Sequence, residues 1–319
     1  MKTALAFHSV VKTYGSTRAL DGLSFAIPAG VICGLVGSNG AGKTTALALA
    51  AGLLSPGAGR IEVLGNGPWD PSRKPGQLAL LPQDSILPPE ATVGQLLRLY
   101  ARLQDVPPNR VERDVEEALS RVHLLDRKEA PTRTLSHGMR RRVMIAQAFL
   151  GNPALILLDE PLNGLDPREA AAARDLFASW RGRATLVISS HVLSELERLC
   201  DFIVIIEKGK ALHAGSLAQW LRREQRLVYE LEGASLDWEI LRREYPHWAL
   251  SLSPDGRLLE CRYDPAQWDA VEVNRRLLPR LLETGVGIRA IRPGETLESR
   301  YLDTLAQGAQ AQGHPNSSG

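Results

Sequence analysis

Two short segments of this 319-residue chain combine side chains suited to handling phosphate. The first, Gly37-Ser38-Asn39-Gly40-Ala41-Gly42-Lys43-Thr44, has the phosphate-loop spacing, with Gly37, Gly42, Lys43 and Thr44 at its fixed positions. Its glycines let consecutive backbone N–H groups turn inward toward β- and γ-phosphates, and a helix N-terminus behind them adds a favourable dipole. Lys43 supplies a full charge, the Thr44 hydroxyl is a Mg²⁺ ligand, and Thr45 supports the α-phosphate side. The plain alternative is a glycine-rich turn that happens to precede Lys-Thr. The second segment, Leu155-Ile156-Leu157-Leu158-Asp159-Glu160, is an apolar run ending in adjacent carboxylates. Beside a phosphate loop, Asp159 is the metal-side acid, and Glu160 faces the γ-phosphate, where it polarises an attacking water. Alone, such a run is only a strand that ends in a polar loop.

These groups need rigid elements to hold them. Val31 to Val36 is a continuous apolar run that reads as a buried strand leading into the loop, and Thr44 to Leu54 reads as the helix leaving it, closed by Pro56-Gly57. Leu155 to Leu158, Thr185 to Ile188 and Phe202 to Ile206 have the same fully buried character, and helical patterns between strands predict a mostly parallel sheet. The first 30 or so residues alternate like exposed antiparallel strands. Residues from about 88 to 135 have helical periodicity, as in Val93 to Tyr100 and Val111 to Val122, and predict an inserted helical subdomain.

Leu135-Ser136-His137-Gly138-Met139 lies between the phosphate loop and the Asp-Glu strand. In isolation it is an ordinary helix start capped by Ser136. In this position it resembles the ABC signature motif, and with the other motifs it makes about Leu5 to Ala214 similar to an ABC nucleotide-binding domain. The resemblance implies an α/β fold: a P-loop NTPase core of the ABC-ATPase type with an N-terminal antiparallel β subdomain and the helical insertion. It also implies that ATP is sandwiched between two copies, the Ser136 hydroxyl and Gly138 N–H of one chain meeting the γ-phosphate held by the other.

The same resemblance assigns further roles. Tyr14 matches the aromatic residue that stacks on adenine. Gln83 matches the Q-loop glutamine that touches Mg²⁺ and the water, Asp166 in Gly164-Leu165-Asp166 matches the D-loop acid, and His191 matches the switch histidine that contacts the γ-phosphate and steadies Glu160. Taken singly, these are a core tyrosine, a loop glutamine, a loop acid and a polar strand cap. The chain departs from the family pattern at His137, Met139 and Leu162, where glycine, glutamine and threonine are usual. The Ser-x-Gly-Met form is similar to that of ABC-2-type exporters, as is the Pro293 to Glu298 stretch. The resemblance therefore implies an ATPase that drives a separate transmembrane permease, with a second copy or a homologous ATPase as its other partner.

Composition sets the remaining bounds. With 44% hydrophobic and 23% charged residues the chain can bury a large core. A formal charge of +2 from 38 basic and 36 acidic side chains favours neither nucleic acid nor an anionic membrane. Arg140-Arg141-Arg142 accordingly reads as a solvated or dimer-facing helix surface rather than a nucleic-acid patch. No apolar run approaches the roughly 18 to 20 residues of a membrane span, and no signal peptide precedes the first strand. The expected location is thus the cytoplasmic face of the cell membrane, reached through the permease. Cys33, Cys200 and Cys261 are widely spaced and read as reduced structural thiols. A soluble ABC ATPase acting on ribosomes or DNA is the alternative class, but one phosphate loop and only about 90 residues between loop and signature weigh against it.

The expected domains are residues 1–216 for the ATPase and 217–307 for a small α+β accessory domain, followed by a disordered tail over 308–319. Within the second region the pattern predicts a helix over Leu217 to Gln225, a strand over Arg226 to Leu231 and a helix over Leu236 to Tyr245. Two strands around Pro254-Asp255-Gly256, a helix over Gln267 to Glu283, a strand over Val286 to Arg292 and a helix over Thr296 to Leu305 follow.

Overall fold

The computed structural model describes residues 2–304 apart from 71, 73, 74, 85, 222–224, 234–237, 266, 294–300 and 302–303. The tail over 308–319, and nearly all of the helix expected over Thr296 to Leu305, lie outside the described residues. The chain divides into two compact units, Met1–Ser216 and Leu217–Gly319.

The first unit opens with three antiparallel strands, β1 (Thr3–Tyr14), β2 (Thr17–Pro28) and β4 (Ala58–Val63), in the order β2-β1-β4. Their inward residues, among them Leu5, Phe7, Leu23, Ile27 and Ile61, are buried in one core with the central sheet's apolar face. That sheet has six strands in the order β5-β6-β7-β3-β8-β9: β5 (Leu78–Leu81), β6 (Leu155–Asp159), β7 (Thr185–Ser190), β3 (Ile32–Val36), β8 (Phe202–Glu207) and β9 (Lys210–Ser216). The first five are parallel and β9 returns antiparallel to β8. Every residue of β3, β6 and β7 is buried, as expected where helices cover both faces of a parallel sheet.

Helix α1 (Lys43–Ala50) follows the phosphate loop and stops four residues earlier than its apolar run suggested. Gly52, at φ 72°, adopts a left-handed backbone that lets Leu53 N–H bond back to Ala48 O, and this turn ends the helix although Leu53 and Leu54 are apolar. The helical insertion holds α2 (Val93–Leu103) and α3 (Val111–Arg121). α2 starts from a reciprocal Thr92–Gln95 cap, and both helices bury one apolar stripe, Leu96 and Leu97 on one and Val115 and Leu119 on the other. The signature segment starts α4 (His137–Ala148), with the Ser136 hydroxyl capping it by accepting from Met139 N–H at 3.1 Å. α5 (Pro167–Ser179) and α6 (Leu193–Leu199) complete this unit.

The second unit begins with the short α7 (Leu217–Leu221) and builds an antiparallel sheet in the order β11-β12-β10-β13. Its strands are β10 (Gln225–Gly233), β11 (Ala249–Leu252), β12 (Leu258–Tyr263) and β13 (Val286–Pro293). α8 (Trp238–Glu244) and α9 (Ala270–Glu283) share with it a core of Leu227, Tyr229, Leu241, Leu259, Val273 and Leu277. This unit carries its own core.

Candidate active site

Parallel register brings four strand ends to one edge of the large sheet. Asp159 of β6 pairs with Ser189 of β7, Val36 of β3 pairs with Ser190 of β7, and Leu81 of β5 pairs with Leu158 of β6. The loops after β3, β5, β6 and β7 therefore open side by side at the carboxyl ends of the strands, where open α/β sheets bind their ligands. A cleft of about 510 Å³ lies there.

Its floor is the phosphate loop. Gly42 sits at φ 109° immediately before α1, and a Cβ there would meet Leu20 at 2.6 Å, so that position requires glycine. Asn39, Gly40, Gly42, Lys43, Thr44 and Thr45 all line the cleft. Gly37, Ser38 and Ala41 support it from behind: Ala41 is buried and donates its N–H to Ser38 O, and the Ser38 hydroxyl donates to Glu207 at 2.9 Å. Lys43 is buried, and its ammonium donates to Gly37 O at 2.8 Å and to Ser38 O at 3.1 Å. The loop thus folds around its own cation and presents the amine at the cradle.

The opposite wall carries the acids. Asp159 is 2% exposed and accepts from the Ser189 hydroxyl at 2.5 Å. The same hydroxyl oxygen accepts Glu160 N–H at 2.8 Å, so one serine of β7 fixes both the Asp159 carboxylate and the backbone of the next residue. Glu160 has φ 47°, a left-handed backbone that lets the chain leave β6 sharply. Its Oε2 lies 3.0 Å from His191 Nδ1. Gln83 and Tyr14 reach the same cleft, Tyr14 at the rim with 47% of its surface exposed and Lys12 Nζ 5.5 Å from its ring centre. Thr44, Gln83 and Asp159 together offer a hydroxyl, an amide carbonyl and a carboxylate. That all-oxygen set suits a hard divalent cation such as Mg²⁺, which keeps waters and phosphate oxygens as its other ligands.

Ser136, Gly138 and Asp166 do not line this cleft; they stand together elsewhere. Asp166 caps α5, accepting from Arg168 and Glu169 N–H at 2.9 and 2.8 Å, while Glu169 reaches back toward Asp166 N–H. The Glu169 carboxylate also covers Gly138, where a Cβ would meet its Oε1 at 2.9 Å, and pairs with Arg142 at 3.1 Å. The signature helix and the D-loop helix are therefore joined at Glu169.

One expectation fails. Arg141 is not part of a solvated or dimer-facing surface: it is 3% exposed and donates to the backbone carbonyls of Gln83, Asp159, Glu160 and Pro161. Three consecutive helical residues, each turned by about 100°, cannot share one face, and the middle arginine points inward. Burial lowers the guanidinium pKa, against the attraction of Asp159, Asp84 and Glu160. Nearby, burial raises the Glu195 pKa; Arg174 lowers it, Glu160 raises it further and His191 lowers it. Ser189, Glu169 and Asn163, which also lines the cleft, went unread in the sequence. All three cysteines are buried and unpaired, and burial raises their thiol pKa values, that of Cys261 to about 12. Among the described residues no helix is long and apolar enough to cross a membrane.

Comparison with known proteins agrees with this geometry. The family model described as ABC transporter matches residues 20–163. The Nod factor export ATP-binding protein I of Burkholderia thailandensis is 33% identical over 300 residues, covering 93% of this chain and 95% of that protein. Its namesake in Ralstonia nicotianae is 33% identical over 225 residues, 69% of each chain. A solved ATP-binding subunit of an ABC transporter superposes with a TM-score of 0.63 at 30% identity, over 69% of this chain and 92% of that one. A phosphate loop, paired strand-end acids and a signature helix on this fold, with relatives of that coverage, make the chain a member of the ABC transporter ATP-binding protein family, an ATP-binding ATPase.

Proposed function

We propose that this ATPase works as a dimer that closes around two ATP molecules and drives a separate transmembrane permease in export. The reading rests on one observation: Lys43, Asp159, Glu160 and His191 converge on a single cleft at the strand ends. Lys43 and the loop N–H groups bind the phosphates, and Tyr14 at the rim stacks on the base. Thr44, Gln83 and Asp159 hold Mg²⁺, which when bound neutralises phosphate charge. Glu160 takes a proton from the attacking water, and His191 Nδ1 orients its carboxylate. Proton removal by a positioned carboxylate is worth about 10²- to 10⁴-fold.

Ser136 and Gly138 lie outside the cleft of their own chain, which supports a role for them at the site of a second copy, with Asp166 between the two. ATP binding then closes the dimer, and hydrolysis with phosphate release reopens it. Export is supported by the relatives, which are Nod factor export ATP-binding proteins, and an ABC-2-type permease by the Ser-x-Gly-Met signature. The chain would sit against the membrane through that permease, and cargo choice would lie in the permease.

The decisive test is Glu160→Gln. With MgATP the variant should migrate as a stable dimer by size exclusion and hydrolyse at least about 100-fold more slowly. Normal turnover would remove Glu160 as the base. Co-purification with a membrane protein supports the transporter reading, and recovery with ribosomes or DNA refutes it.

A further inference from the structure

We propose that Arg141 is a positioning residue for hydrolysis, holding the catalytic strand end and the Gln83 loop in register with the helix that begins at Ser136. The inference rests on the reading of Glu160 and Gln83 given above and adds the group that sets their backbones.

Arg141 lies in the second turn of α4, and its guanidinium fans out to two separate segments. Nε donates to Pro161 O at 3.0 Å, and Nη2 donates to Asp159 O at 3.1 Å and to Glu160 O at 2.5 Å. Nη1 donates to Gln83 O at 3.0 Å. A planar fork with five N–H donors can serve carbonyls in several directions at once, which a lysine ammonium on a flexible stem cannot.

The carbonyls it meets belong to the turn that presents the reacting groups. Glu160 leaves β6 with φ 47°, and its N–H is already held by Ser189. Arg141 takes the C=O side of the same residue. The backbone of the base is therefore gripped at both ends, from β7 by Ser189 and from α4 by Arg141. Through Gln83 O the same guanidinium also sets the distance between the Gln83 loop and the Glu160 turn. A shift of α4, whose first residues would meet the partner's nucleotide, is thereby imposed on the carboxylate of its own chain. The placement is specific to the middle arginine, since Arg140 is exposed and Arg142 binds Val122 O and Glu169.

The test is steady-state ATPase kinetics of full-length Arg141→Ala. A misplaced catalytic group costs on the order of 10²-fold, so kcat should fall about 10- to 100-fold. KM for ATP should stay within about twofold, because the phosphate loop is untouched. Guanidinium at about 10 mM should restore part of kcat and methylammonium should not, since only the planar cation refills the fork. If circular dichroism shows Arg141→Ala to be unfolded, Arg141→Lys is measured instead, with the same fall in kcat and unchanged KM expected. A folded variant with kcat within about twofold of the parent overturns the proposal, as does a fall without guanidinium rescue and with a matching rise in KM. Glu160→Gln run alongside separates the two readings. Full turnover by Glu160→Gln removes the base assignment, whereas full turnover by Arg141→Ala beside an inactive Glu160→Gln removes only the positioning role.

Discussion

The Ser189 hydroxyl donates to Asp159 Oδ1 at 2.5 Å across the β6–β7 pairing, while its oxygen accepts the N–H of Glu160 at 2.8 Å. Ser189→Ala leaves that buried N–H without its acceptor and frees the carboxylate to turn. Stability should drop by about 1 to 3 kcal/mol, the cost of an unpaired buried group. In the variant that stays folded, kcat should fall about 10-fold while nucleotide binding at Lys43 persists. Thermal unfolding and single-turnover hydrolysis read the two effects; an unchanged rate would show that Ser189 holds the fold alone.

Gly138→Ala should separate folding from turnover. The added methyl meets the carboxylate of Glu169, the far end of a flexible side chain, which can swing away at small cost. The melting temperature should change by less than that for about 1 kcal/mol. Displacing Glu169 disturbs the Asp166 cap and the Arg142 pair, and the methyl stands where the second copy's phosphate is proposed to lie. ATPase activity should therefore fall by about 100-fold, the order lost with one oxyanion-hole donor. Full activity would argue against this glycine meeting a phosphate.

The helical insertion carries a pH signature. Glu112 accepts from Arg98 at 2.8 and 3.1 Å and also pairs with Lys128. These partners hold its pKa at about 2, below the ordinary 4.5. A depressed carboxylate pKa means the stabilisation is complete above about 4.5 and is lost as pH falls toward about 2. Because the carboxylate is half exposed, Glu112→Gln should cost less than about 1 kcal/mol at pH 7. Urea midpoints of parent and variant should converge below pH 4.5; a gap that widened there would invert the assignment.

Ending the chain after Ser216 should leave a folded ATPase. The two units have separate cores, and every cleft residue belongs to the first. The truncated protein should keep its hydrolysis rate within about threefold, the scatter of context effects on such a site. An insoluble or inactive product would show that residues 217–319 support the fold or the dimer.

How far the sequence could be read depended on the kind of contact involved. That Lys43, Thr44, Asp159 and Glu160 would meet in one cleft was legible because each lies beside the end of a buried strand. The buried runs of β3, β6, β7 and β8 were equally plain, and the second unit's α8 and α9 lie within three residues of their expected limits. Strand order was not legible, since period and hydrophobicity are alike for every central strand. Ser189, Glu169 and Arg141 were missed for a related reason. Each acts on atoms 3 to 58 positions away, largely on backbone groups that carry no residue-type signal, and a run of three arginines looks like surface until the helix turns its middle member inward.

If Glu160 is the base proposed above, its left-handed backbone sets catalysis and folding in opposition at one residue. A non-glycine side chain in that conformation costs about 1 to 2 kcal/mol, which glycine or asparagine would largely avoid. Selection for thermal robustness alone would therefore drift away from glutamate at position 160, and on the proposed mechanism a stabilised library screened without an activity readout would be enriched in molecules that still close on nucleotide and never reset.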